Sequence, residues 1–100
     1  MSQGAFQLSR STPDVLGVRG ELTFATAAAA LPAITAAFDG ERFGKLDLAG
    51  VSRSDSAGLA CVLAAQAELA RRQGRRLQVL NVPAGMRALA QVCEVDELIG

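Results

Sequence analysis

The residues best suited to act on another molecule fall together at positions 52–58, Ser-Arg-Ser-Asp-Ser-Ala-Gly. Serine and aspartate just ahead of an apolar-periodic segment are helix-capping residues. Their side-chain oxygens accept from first-turn amides that have no partner within the helix. This spacing puts the N-cap at Ser54 or Asp55 and Ser56 in the first turn. A hydroxyl there stands where free N–H groups and the positive end of the helix dipole converge, so an anion on it, phosphate included, is favoured. The plainer reading is that these residues only cap, each worth roughly 1 kcal/mol. Gly58 argues for more: glycine in a first turn costs about 1 kcal/mol relative to alanine, which points to close approach by another backbone.

Other chemistry is scarce. The chain has no histidine, a single lysine and two cysteines, Cys61 and Cys93. That removes the usual zinc sites and the Cys-His and Ser-His nucleophile pairs. General acid–base catalysis has few candidates, so neither an enzyme nor a cofactor is expected. Both cysteines read as small core or interface residues, reduced in a cytoplasmic protein. Ten basic and ten acidic side chains leave zero net charge, and the four aromatics are all phenylalanine. Neither a phosphate-backbone footprint nor a set of base-stacking platforms is present. Around Lys45, Gly40 and Gly44 are separated by three residues and Leu46 follows the lysine. A phosphate-binding P-loop needs four residues between its glycines and Ser or Thr after the lysine. The first ten residues lack a charged lead and apolar run, so no secretory leader is expected. The alanine-rich stretch at 24–38 is too short to span a bilayer.

The elements that must position the turn follow from periodicity. Phe6 and Leu8 alternate with polar residues, Ser11 to Asp14 form a turn, and residues 15–19 make a second strand, so a hairpin is expected. Gly20, Glu21 and Leu22 end it. Phe24, Leu31, Ile34 and Phe38 recur at helical spacing; Pro32 either lies in the first turn of a helix starting near Leu31 or kinks one beginning near Thr26, and a start between Thr23 and Ala30 is favoured. After a polar loop at 41–44, Leu46, Leu48 and Val51 make a strand leading into the serine-rich turn. In the helix that follows, Leu59, Val62, Leu63, Leu69 and Ala70 form a large-residue stripe for the sheet. Ala57, Ala60, Cys61 and Ala64 form a separate small-residue face that continues into Glu68, Arg71 and Arg72 toward solvent, a flat surface suited to docking. Gly74 stops the helix among Arg71, Arg72, Arg75 and Arg76, cations at a C-terminus. Residues 77–81 form another strand with Leu77 and Val79 on one side. Pro83 opens a last helix with Met86, Leu89, Ala90 and Cys93 inward, and Val95, Leu98 and Ile99 tuck the tail back. One hundred residues suffice for one domain. The order of elements suggests an α/β fold, a mixed sheet with helices on one side.

Ser-Asp-Ser-Ala-Gly-Leu-Ala at 54–60 after Leu-Asp-Leu-Ala-Gly-Val at 46–51, with Gly-Glu-Leu at 20–22 and Val-Asp-Glu-Leu-Ile at 95–99, resembles STAS domains, the fold of bacterial anti-sigma factor antagonists. The resemblance runs over nearly the whole chain and implies a single STAS domain, residues 1–100, with a mixed sheet of about four strands. Its size and its Ala-Gly-Leu-Ala stretch are most similar to MlaB-like members, accessory subunits of the ABC-type Mla phospholipid transporter that maintains outer-membrane lipid asymmetry. For such a member the resemblance implies a cytoplasmic location, at the inner face of the inner membrane through the partner, the transporter's ATPase subunit. Ser56 falls where antagonists are phosphorylated and where MlaB-like proteins contact the ATPase, which implies partner binding through Asp55, Ser56, Ala57, Gly58, Ala60, Cys61 and Ala64. The alternative partner is an anti-sigma factor kinase, with Ser56 as phosphoacceptor. Thr23, where an Asp often follows Gly-Glu-Leu, and Ala60, where antagonists often have glycine, weigh against that alternative. Glu94 replaces a glycine common before the terminal segment.

Overall fold

Alternating burial runs through the strands and decides where the helices go. The computed structural model describes residues 5–40 and 43–99, so the polar loop expected at 41–44 lies partly outside the described residues. β1 (Phe6–Thr12) and β2 (Val15–Leu22) pair antiparallel, with Leu8 opposite Val18 and Thr12 opposite Val15. The connection is therefore only Pro13 and Asp14. Ser11 and Thr12, expected in the turn, belong to β1 instead, Thr12 rejoining the ladder after an irregular register past Ser9. β2 does not stop at Arg19: Glu21 and Leu22 pair with Arg53 and Ser54 of β3 (Lys45–Ser54). β3 correspondingly runs three residues beyond Val51, because this parallel pairing extends both strands. β4 (Gln78–Leu80) joins β3 in parallel, giving a four-stranded mixed sheet in the order β1-β2-β3-β4.

Leu16, Val18 and Leu22 of β2, Leu46 and Leu48 of β3 and Val79 of β4 are buried, while Arg19 and Ala49, next to Val18 and Leu48, are exposed. Period-two alternation of this kind gives one dry face, and the helices cover it. Among these is α1 (Phe24–Gly40), which passes through Pro32 without ending. The proline lacks the N–H that would reach the Ala28 carbonyl, but both residues face solvent, where water can serve that carbonyl. The inward stripe of α1 is Ala30, Ile34, Ala37 and Phe38, led by buried Thr23 and Thr26. Thr26 Oγ1 accepts from Thr23 N–H at 2.9 Å and donates to Glu21 O at 3.0 Å, which lets its hydroxyl occupy a core position. Phe24 is thereby turned outward and Leu31 is half-buried, contrary to the stripe expected from spacing.

α2 (Ser56–Gln73) buries Leu59, Cys61, Val62, Ala65 and Leu69. Ala70, expected beside Leu69, is exposed and Leu63 is half-buried, since each residue turns the helix by about 100° away from that stripe. Gly74 closes α2 in the left-handed conformation at φ 61°, its N–H donating to Ala70 O. Arg72 Nη1 pairs with Asp39 Oδ2 at 2.6 Å and Arg72 Nε with Glu68 Oε2 at 3.0 Å, joining the last turns of α1 and α2.

α3 (Ala84–Val92) buries Met86 and Ala90 and half-buries Leu89. Cys93 is the C-cap, outside the helical turn, and is exposed instead of packed inward. The short α4 (Asp96–Ile99) was not foreseen; it seats Ile99 in the core but leaves Leu98 half exposed. Between α3 and α4, Glu94 adopts φ 59°, the left-handed region. A non-glycine residue there is strained by about 1 kcal/mol. Glu94→Gly is expected to stabilise the fold by about 0.5 kcal/mol after the entropy cost of glycine, raising the thermal midpoint by a few degrees. An unchanged or lower midpoint would show that the turn is set by other contacts.

Candidate functional site

Parallel β2 and β3 release α1 and α2 from the same end of the sheet, so the two helix N-termini lie side by side. Asp55 joins them. It is the N-cap of α2, with extended backbone, and its Oδ1 accepts from Gly58 N–H at 3.1 Å. Its Oδ2 accepts from Phe24 N–H, the first residue of α1, at 3.0 Å. The Phe24 N–H bond is the main reason the Asp55 carboxyl titrates below its ordinary value; the Gly58 and Ala57 amides and the nearby Arg53 cation add to it, against partial desolvation. One carboxylate thus offsets the amide charge of two helix ends.

Gly58 shows why the two ends approach so closely. A Cβ on it would sit 1.9 Å from the Leu22 carbonyl oxygen at the end of β2. The close backbone approach expected from this glycine is therefore with the strand end that leads into α1.

With the turn held this way, Ser56 is the first residue of α2 and exposed. Ala57 and Ala64 are half-buried and Ala60 exposed, and the surface continues to exposed Ala67. A groove of about 420 Å³ between α1 and α2 is lined by Leu31, Pro32, Thr35, Ala64, Ala67 and Glu68. Two residues of the expected docking set are not on this surface. Gly58 and Cys61 face inward, at one turn's spacing with Ala65, because 57, 60 and 64 take the outer positions. Cys61 is only 4% exposed, and burial pushes its thiol upward so that it stays protonated. It packs in the core.

Sequence reasoning missed Phe24. It is 84% exposed at the head of α1, with its backbone bonded to Asp55. The available signal was the run Thr23, Thr26, Ala30, Ile34, Ala37 at helical spacing, which leaves Phe24 one position off the core stripe.

The fold and this turn define a STAS domain. The anti-sigma factor antagonist SpoIIAA in its unphosphorylated form matches 96% of this chain and 86% of its own, at 24% identity and TM-score 0.72. The Bacillus cell fate determinant SpoIIAA in its phosphorylated form gives 25% identity and TM-score 0.67, over 96% of this chain and 89% of that one. An anti-sigma factor antagonist from Mycobacterium paratuberculosis gives 22% identity and TM-score 0.72, over 98% and 84%. No curated protein matches the chain. Within this class the chain belongs to the family described as "Mlab, STAS domain", whose sequence model matches residues 6–100. STAS domains are protein–protein interaction modules. No helix among the described residues is long and apolar enough to cross a membrane.

Proposed function

We propose that this protein is a non-enzymatic accessory subunit that binds the ATPase of an ABC-type phospholipid transporter of the Mla kind. In this reading it works in the cytoplasm at the inner face of the inner membrane. The observation that carries the proposal is the uncharged surface of exposed Ser56 and Ala60 with half-buried Ala57 and Ala64, headed by the bare ring of Phe24 and set on a helix start pinned by Asp55. Small side chains let another backbone come close, and aromatic rings, phenylalanine included, are enriched at protein interfaces. Membership of the Mlab family supports the choice of an ABC ATPase as partner.

Ala60→Glu would place a carboxylate in a contact with no cation to receive it, and Ser56→Arg a long cation at the positive end of α2. Burying an unpaired charge costs several kcal/mol, so each variant is expected to lose binding at least 100-fold in co-purification with the ATPase while its melting curve stays that of a folded domain. Phe24→Ala is expected to weaken the complex about 30-fold, the loss of about 2 kcal/mol typical of an aromatic anchor. If Ala60→Glu and Ser56→Arg both co-purify normally, this surface is not the interface.

A second reading is favoured by one observation, the accessible Ser56 hydroxyl at the amino end of a helix. An anti-sigma factor kinase would transfer the γ-phosphoryl of ATP to Ser56 Oγ, releasing ADP. The added charge of roughly −1.5 to −2 is tolerated at the helix end and excluded from a dry interface. Intact mass after incubation with the cognate kinase and ATP decides it, since no phosphate adduct means no switch.

A further inference from the structure

The sheet ends at β4, whose outer edge pairs with no further strand among the described residues. Gln78 N–H donates to Gly44 O at 2.9 Å, and the register runs Lys45↔Gln78, Leu46↔Val79, Asp47↔Leu80. In a parallel pair, residues that turn both main-chain groups toward the neighbour alternate with residues that turn both away. Gln78 and Leu80 therefore face β3, and the N–H and C=O of Val79 face outward, while its side chain stays in the core. Among the described residues no hydrogen bond engages those two groups.

A groove of about 530 Å³ follows this edge, lined by β4 together with Arg76, Arg87, Glu97 and Leu98. The guanidinium groups of Arg76 and Arg87 form no hydrogen bond or ion pair among the described residues, unlike those of Arg53, Arg71 and Arg72, which all have carboxylate partners. Two free guanidinium groups thus border the edge against the single carboxylate of Glu97. A second copy is a poor occupant, because pairing two β4 edges about a twofold axis would bring four arginines together.

We infer that the β4 edge accepts an extended, acidic segment of another protein as an added strand. Val79 supplies the main-chain hydrogen bonds, and Arg76 and Arg87 select carboxylates. This surface uses none of the residues around Ser56, so it stands or falls independently of the reading above.

The test is NMR of the labelled protein titrated with a capped peptide of alternating valine and glutamate, and with its valine–lysine counterpart. The acidic peptide is expected to shift Gln78 to Asn81 and slow exchange of the Val79 amide. The lysine peptide should do neither, and an Arg76→Glu, Arg87→Glu double variant should weaken binding at least tenfold. Three results would each overturn the inference: a Val79 amide already protected in the dilute free protein, equal binding of both peptides, or protection that rises with the protein's own concentration, which would assign the edge to a second copy.

Discussion

Gly58→Ala is expected to lower stability by about 1–3 kcal/mol, because the added methyl group has no room against the end of β2. The new Cβ meets the Leu22 carbonyl oxygen at 1.9 Å and its carbon at 2.9 Å. Both are backbone atoms, so no rotamer change relieves the clash, and α2 must retreat from β2 by more than an ångström. Retreat pulls Gly58 N–H off Asp55 and loosens Leu59 and Val62 in the core. Overpacking of this kind costs about 1–3 kcal/mol and a lost cap about 1 kcal/mol. The gain of alanine over glycine in a helix, about 1 kcal/mol, offsets only part. For a domain of this size the thermal midpoint should fall by roughly 5–20 °C. A midpoint equal to that of the unaltered protein would mean that the strand end and the helix are not in contact.

The requirement for glycine at 58 was legible in the sequence, but its partner was not. A first-turn glycine announces that something comes close; only the fold shows that Leu22, at the end of β2, does so. The same division applies to Asp55. The Ser-Asp-Ser turn identified a capped helix and left Ser54 and Asp55 as equal candidates. The structure selects Asp55 because a carboxylate has two oxygens and two helices need one each, and the second helix starts 31 residues earlier. Strand alternation in β2 and β3 was local and readable, as was the Gly74 stop. The inward face of α1 was not, because buried Thr26 bonds its hydroxyl to the Thr23 N–H and the Glu21 carbonyl, and a polar residue satisfied by local backbone leaves no apolar signal. Pro32 marked a break that solvent exposure on that side of the helix made unnecessary.

Removal of the Asp55 carboxylate should cost two caps where an ordinary N-cap substitution costs one. With each worth about 1 kcal/mol, Asp55→Ala is expected to destabilise by about 2 kcal/mol and to lower the thermal midpoint by roughly 10 °C. Asp55→Asn keeps a single carbonyl oxygen, which can serve Gly58 or Phe24 but not both, so about half the loss is expected. The pH dependence gives an independent check. Because the folded protein holds this carboxyl below its ordinary value of 3.8, the stabilisation it gives is complete above that value and is lost as pH falls through the lower, folded value. The advantage of the unaltered protein over Asp55→Asn should therefore be full at pH 7 and pH 5 and shrink below about pH 4. Glu68, also held low by hydrogen bonds from Arg71 and Arg72, weakens in the same acid range, but it is present in both proteins and cancels in the difference. Urea unfolding at pH 7, 5 and 3 measures that difference directly. If it stays constant down to pH 3, or if Asn costs as much as Ala, then the carboxylate does not bridge the two helix starts, and the rigid platform beneath Ser56 and Phe24 must come from packing alone.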